Sequence, residues 1–423
     1  MSLASIFEVF QLSHGPSLPY TTGALKTGQY FRNVLMGVPY HQDNRILIEL
    51  LGDFAIHGKN NLSNVAIICG LAGYIPGESR FTLKKFYSRI EKSGGIQLLN
   101  RTWPFSVDSD LVFNKGKKEL DHPNTIRFHI LGPEQKILLQ TEYFVSVHGH
   151  VTGPGSRDQE AVKMIDQFDQ FADIQEVCNK EELNLVDYII SAEEMKHTIP
   201  PVQIFERLSH TWQIMRSSIQ NGLKNEGSLP NHHPRQAKRL HNEFSKRILN
   251  WKTLGQENIL ASIYALAVAE ELIDNQLIIT APLCESAALM PAILYLIQEK
   301  YSVQSKELSE SLLIGGLVGS LLMKSTTQFY SKPVLDIAFT ISSAMTAAAG
   351  CYLIDPDIKK INQAAAIAIN LGGVNQNLNY DNIGEISMRY AGVILTAINL
   401  ALCDYQQTEL PFDQYYRQLS SGK

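Results

Sequence analysis

Val151-Thr152-Gly153-Pro154-Gly155-Ser156-Arg157-Asp158-Gln159-Glu160 divides this sequence into two parts written in different styles. Glycines on either side of a proline are the punctuation of a domain boundary, since neither residue type extends a helix or a central strand. Upstream, short runs of Ile, Leu, Phe, Val and Tyr alternate with turns. Ile126 to Ile130 and Lys136 to Val147 are such runs, and the five residues Leu131 to Gln135 between them, with Gly132 and Pro133, have hairpin length. Helical spacing appears beside them: Leu25, Tyr30, Phe31 and Val34 mark a helix over Thr22 to Leu35, and Ser63 or Asn64 is placed to cap one running through Ala66 to Leu71. Downstream of Glu160 the β signals fade and helical patterns dominate. The expected fold class is α+β, with a mixed α/β domain over 1–155, a helical connection over 156–200 and an all-α domain over 201–423.

Composition sets limits on function. The 423 residues are 44% hydrophobic and 19% charged, an ordinary globular balance. Lys and Arg number 37 against 42 Asp and Glu, so nothing suggests a polyanion clamp, and no nucleic-acid partner is expected. Met1 to Leu12 carries Glu8 and no basic segment, which is not the pattern of a secretory signal, so a cytoplasmic protein is expected. Five separated cysteines, mostly in apolar runs, read as reduced thiols. Leu312 to Met323 and Ala338 to Ile354 are apolar nearly all round, which marks buried helices. Both are short or weak beside the ~20 apolar residues a bilayer needs, so no membrane partner is expected.

Phosphate-loop, dinucleotide, HExxH and GxSxG motifs are absent. Val147-His148-Gly149-His150 ends a predicted strand, where alternation would put both imidazoles on one face. Without a third ligand nearby it reads as a solvated strand end rather than a zinc site.

A collinear series of fragments says more. Gly15-Pro16-Ser17, Thr21 and Gly23, then His57-Gly58-Lys59 ahead of Ala66 to Leu71, then His122-Pro123-Asn124, then Glu142 to Val147 resemble the first domain of the bacterial iron-sulfur L-serine dehydratases. Thr211 to Met215, Gly222 to Pro230, Tyr264 to Glu271, Thr280-Ala281-Pro282, Ala347 to Gly350 and Thr396 to Asn399 resemble that family's helical domain. The resemblance implies an ammonia-lyase with an α/β and an all-helical domain, usually a homodimer, in which a [4Fe-4S] cluster with one open iron acts as Lewis acid on the serine hydroxyl. It also implies three ligand cysteines. Their positions fall at Asp336, Asn375 and Ile386, and no cysteine stands in the tail Gln418 to Lys423. On that ground no cofactor and no metal site is expected.

Other positions of the resemblance have changed too. Leu18-Pro19-Tyr20-Thr21 stands for Ser-Ser-His-Thr, Asn60 to Asn64 for Gly-His-Gly-Thr-Asp, and Pro282 to Ala288 for Pro-Thr-Asn-Gly-Ala-Ala-Gly. The candidate ligand-binding residues are Ser17, Thr21, His122, Asn124, Cys284, Glu285, Asp336, Asn375 and Arg389. Each has a plainer reading. Ser17 and Thr21 can cap the helix that follows, His122-Pro123-Asn124 can simply turn into a strand, and Asp336 can be a first-turn helix charge. Cys284 can be an inert buried thiol, and Arg389 can tie helices together through their carbonyls. Three functions stay open: a diverged lyase acting on a small, serine-like amino acid without a cluster, a silent homologue that binds a small molecule or a partner, and the deamination of serine itself.

Overall fold

The computed structural model describes residues 4–78, 82–98, 101–116, 120–156, 170–248, 255–326, 334–372, 378 and 380–421. It divides into two compact units, one made of Ser13–Ala161 and the other of Met1–Leu12 together with Val162–Lys423. The chain opens with a short helix α1 (Ile6–Val9) and strand β1 (Leu12–His14). In the α/β unit a π-helical turn (Leu18–Gly23) runs into α2 (Ala24–Met36). There follow β2 (Arg45–Gly52), α3 (Asp53–His57), α4 (Ser63–Leu71), α5 (Leu83–Ser93), β3 (Gly95–Leu98), β4 (Arg101–Pro104), α6 (Val107–Asp110), β5 (Leu111–Asn114), β6 (Asn124–Leu131), β7 (Ile137–Val145) and β8 (Val151–Thr152). The helical unit continues with α7 (Phe171–Lys180), α8 (Leu185–His197), α9 (Pro201–Gly222), α10 (Ala237–Ile248), α11 (Gln256–Ile273), β9 (Leu277–Ile279), α12 (Leu289–Tyr301), α13 (Ser305–Thr326), α14 (Val334–Ile354), α15 (Ile358–Gly372), α16 (Ile383–Leu402) and α17 (Phe412–Ser421).

The α/β unit is built on a sheet of order β5-β2-β6-β7-β8, with β2 and β5 parallel and the other neighbours antiparallel. The expected hairpin is β6–β7, closed by a tight turn at Pro133–Gln135. Strand alternation sorts its faces. Ile46, Ile48 and Leu50 of β2 and Ile126, Phe128 and Ile130 of β6 point into a core that also takes Phe31, Leu35, Ile67 and Ile68 from α2 and α4. Phe31 stacks on Phe128 with ring centres 4.1 Å apart. Two local expectations need correction. The residue capping α4 is Leu62, in the left-handed region, while Ser63 is already helical and its hydroxyl donates to the Tyr20 carbonyl at 2.7 Å. The 148–150 histidines lie beyond the end of β7, in a turn closed by Gly149 N–H donating to the Ser146 carbonyl at 2.9 Å, so strand alternation does not set their directions.

The helical unit surrounds α14, which packs against α12, α13, α15 and α16. Ala347, Ala348 and Ala349 of α14 are fully buried, as an apolar helix enclosed on all sides requires. The apolar helices are longer than the sequence runs suggested. α13, α14 and α16 each contain a stretch long and apolar enough to cross a membrane, and within the unit those stretches are 89%, 78% and 50% buried. Packing therefore accounts for most of the apolar surface of the first two.

Helix contact in the α/β unit goes down to the backbone. A methyl group on Gly70 of α4 would run into the carbonyl oxygen of Leu25 in α2, and one on Gly28 of α2 into the carbonyl oxygen of Ile67. Replacing Gly70 by Ala should push these helices apart and cost about 1–3 kcal/mol, read as a lower urea midpoint at unchanged slope. An unchanged midpoint would mean that the two backbones do not touch.

Candidate functional site

In the α/β unit the polar candidates gather at one end of the sheet, where β2 and β7 stop and β6 and β8 begin. Gly52, the last residue of β2, pairs with Asn124, the first of β6. Its φ of +58° and the close approach of the Pro123 carbonyl leave no room for a side chain. That carbonyl accepts from Asp53 N–H at 2.9 Å, which seats the His122-Pro123-Asn124 turn on the start of α3. The Asn124 N–H donates to His122 Nδ1 at 3.0 Å, so Nδ1 is the acceptor and the ring proton sits on Nε2. His122 is half-buried beside Phe144, and Asn124 is 6% exposed. The Asn124 side-chain oxygen is buried with no hydrogen-bond partner among the described residues.

Ser17 immediately precedes the π-helical turn Leu18–Gly23 and Thr21 lies within it. Neither caps a helix. Ser17 makes no side-chain cap bond, and the Thr21 hydroxyl donates to the Asn61 carbonyl at 3.1 Å. Tyr20 stands over Phe54 of α3 at 5.2 Å and lies 6.1 Å from His57, ring centre to ring centre. Burial, and then the nearby Asp53 carboxylate, push its hydroxyl up to about 12, so it stays a proton donor. The turn around Gly149, with φ of +71°, abuts Leu18. Sequence reasoning passed over Tyr20, although it occupies the histidine place of the Ser-Ser-His-Thr run, and that substitution was the available signal.

In the helical unit Cys284 and Glu285 lie in the buried turn between β9 and α12. The Ser286 hydroxyl donates to the Ala281 carbonyl at 3.2 Å, and the Ser342 hydroxyl of α14 donates to the Ser286 carbonyl at 3.1 Å. Asp336 sits in the first turn of α14, with its carbonyl accepting from Thr340 at 2.7 Å. Burial, and with it the Asp336 carboxylate, raises the Tyr390 hydroxyl. Tyr390 lies 5.0 Å from Phe339 and donates to the Gly372 carbonyl at 2.8 Å. Arg389 is exposed, its guanidinium 5.2 Å over the Tyr390 ring. Asp336 and Arg389 thus flank one tyrosine, while Cys284 and Glu285 join α14 farther along. Asn375 lies outside the described residues.

This order of elements has known counterparts. Residues 5–153 match the family model described as serine dehydratase beta chain, and residues 180–373 match that of the serine dehydratase alpha chain. The chain belongs to the iron-sulfur L-serine dehydratase family. It is similar to L-serine dehydratase 2 of Escherichia coli K12, 26% identical over 97% of this chain and 92% of that protein. L-serine dehydratase of Helicobacter pylori J99 is 24% identical over 98% and 93%, and that of Streptomyces coelicolor 23% identical over 91% and 82%.

Family membership corrects one expectation. That no cofactor is used was argued from three missing cysteines, yet this family uses an iron-sulfur cluster and its relatives match along nearly the whole chain. The described residues do not, however, supply its ligands. Asp336 offers a carboxylate where a soft thiolate would hold iron, and Ile386 is a buried aliphatic side chain. Cys178, Cys284 and Cys351 are buried on separate elements and Cys403 is exposed. Burial pushes the Cys351 thiol up to about 12, away from the thiolate. Among the described residues no three His, Cys, Asp or Glu side chains gather to hold a metal ion.

His148 carries a measurable signature. Burial, and then the neighbouring His150, hold its imidazole down at about 4 against the usual 6.5. On acidification the unfolded chain takes up this proton near 6.5 and the folded one only near 4. The contribution is therefore complete above pH 6.5 and lost as pH falls toward 4, on the order of 3 kcal/mol in total. Urea midpoints at pH 7 and 4.5 should fall less for His148→Gln than for the wild type. Equal falls would show that this ring is not held neutral by burial.

Proposed function

We propose that this protein is a lyase acting on a small hydroxy-amino acid of the serine type, releasing the hydroxyl group from Cβ and the proton from Cα. The aminoacrylate so formed hydrolyses to a 2-oxo acid and ammonia, so water leaves in the first step and enters in the second. The observation that carries this reading is the match of both family models, in order, along one chain.

The residues have roles consistent with it. His122, with its proton on Nε2, offers a donor to a substrate carboxylate or hydroxyl group. The Asn124 oxygen is a buried acceptor with no donor among the described residues, a deficit of about 1–3 kcal/mol that a bound ammonium group would relieve. Ser17, Thr21 and the protonated Tyr20 add hydroxyl groups at the same end of the sheet. In the helical unit Arg389 is an exposed cation over the Tyr390 ring, available to a carboxylate. The same reading makes the protein a cytoplasmic homodimer without nucleic-acid or membrane partners.

A second reading, a homologue that binds such a ligand without turning it over, is favoured by Ile386, which buries an aliphatic side chain at a position where the family resemblance calls for a thiolate. Protein purified anaerobically, with and without added iron and sulfide, should form a 2-oxo acid from L-serine or a close analogue. His122→Ala should lower kcat/KM by about 10²–10⁴-fold. A thermal shift with the ligand but no 2-oxo acid would replace the first reading by the second, and neither binding nor turnover would remove both.

A further inference from the structure

Residues 5–12 are matched with the beta-chain part of the family yet belong, with Ala4, to the helical unit. Their grip is built in three layers. Ser5 caps α1, accepting from Phe7 N–H at 3.1 Å while its own N–H donates to Glu8 at 3.1 Å, so the peptide is pre-folded. Glu193 of α8, itself buried, then takes the outward-facing donors: Ser5 Oγ at 2.6 Å and Ile6 N–H at 3.3 Å, with His197 Nε2 2.8 Å from the same hydroxyl. Ser320 of α13 donates to the Ala4 carbonyl at 2.6 Å.

Below these bonds Ile6, Val9 and Phe10 are buried in the helical core. Their seat is shaped by glycines of α13: a methyl group on Gly316 would stand 2.6 Å from Ile6, and one on Gly319 3.0 Å from Val9. Phe7 lies between His197, 5.6 Å away, and the Arg207 guanidinium, 5.1 Å away. The segment ends in a backbone ladder, with Thr280 N–H donating to the Gln11 carbonyl at 2.9 Å and Gln11 N–H to the Thr280 hydroxyl at 3.0 Å. Thr280 immediately precedes the turn that holds Cys284 and Glu285. A short capped helix whose apolar side fills a groove has the anatomy of a recognition peptide rather than of a loose terminus.

We propose that residues 4–12 are a docking peptide whose receptor is the surface formed by α8, α13 and Thr280, and that this grip keeps the two units in one particle when the chain between them is cut.

The test uses the full chain with a protease site placed within 157–169. After cleavage the wild-type pieces should elute together on size exclusion with light scattering. Cleaved Ile6→Asp should elute as two species, while uncut Ile6→Asp keeps the wild-type circular dichroism. A synthetic peptide of residues 4–12, in excess and incubated overnight with cleaved wild type, should release the α/β piece, and the same peptide carrying Ile6→Asp should not. Should the Ile6→Asp chain not fold, the peptide experiment alone decides. Separation of the cleaved wild type, joint elution of a folded, cleaved Ile6→Asp, or failure of the peptide to release the α/β piece would overturn the proposal.

Discussion

A helix of 21 residues enclosed by four others leaves its polar groups nowhere to go, and α14 shows how that constraint organises the helical unit. Thr340 and Ser343 turn their hydroxyls back onto their own helix, donating to the carbonyls of Asp336 and Phe339. Ser342 does otherwise: its hydroxyl leaves the helix and donates to Ser286. In apolar surroundings such a bond is worth only about 1 kcal/mol net, but leaving its groups unpaired costs about 1–3 kcal/mol, so it specifies position more than it adds stability. The turn with Cys284 and Glu285 is therefore joined to α14 through the Ser342–Ser286 bond.

The α/β unit meets a different constraint with the same result. Its helices α2 and α4 approach until glycines touch carbonyls, which fixes the start of α2, and hence the π-helical turn before it, against the last turns of α4. The bonds from Thr21 to Asn61 and from Ser63 to Tyr20 then sew that turn to residues 61–63. The polar candidates gather at that end of the sheet, on loops supported by the rigid layers beneath them.

The layout of layers was readable because it rests on periodicity. Ile126, Phe128 and Ile130 alternate, Leu25, Phe31 and Val34 recur at helical spacing, and both patterns report which face is buried. What escaped depends on partners distant in sequence. Nothing local says that β5 lies parallel to β2, that Leu62 takes a left-handed conformation before α4, or that Ile6 and Val9 pack on α13. The site was legible to the same degree. His122-Pro123-Asn124 does turn into β6, and Asp336 does stand in a first helical turn, both short-range properties. The surroundings of Arg389 on Tyr390, and the burial of His148 beyond a strand end, are tertiary facts.

Buried polar atoms without partners are uncommon in folded proteins, and their positions carry information about what a protein binds. Among the described residues some have an evident structural reason. One oxygen of Glu270 accepts from the backbone of Gln236 and Ala237 while the other lies 3.9 Å from the Arg235 guanidinium, and one oxygen of Asp413 accepts from Phe171 N–H, which leaves the second oxygen of each without a hydrogen bond among the described residues. Asn124, Ser387 and Thr346 have no such half-use of their unpaired side-chain atoms. Asn124 opens β6 in the candidate turn, Ser387 sits between Ile386 and the Arg389–Tyr390 pair, and Thr346 lies one turn beyond Ser342 on α14. A fold selected for stability alone would fill these places with Val or Ala, which ask for no partner. All three belong to segments that also carry candidate residues: Asn124 to the 122–124 turn, Ser387 to α16 with Arg389, and Thr346 to α14 with Asp336.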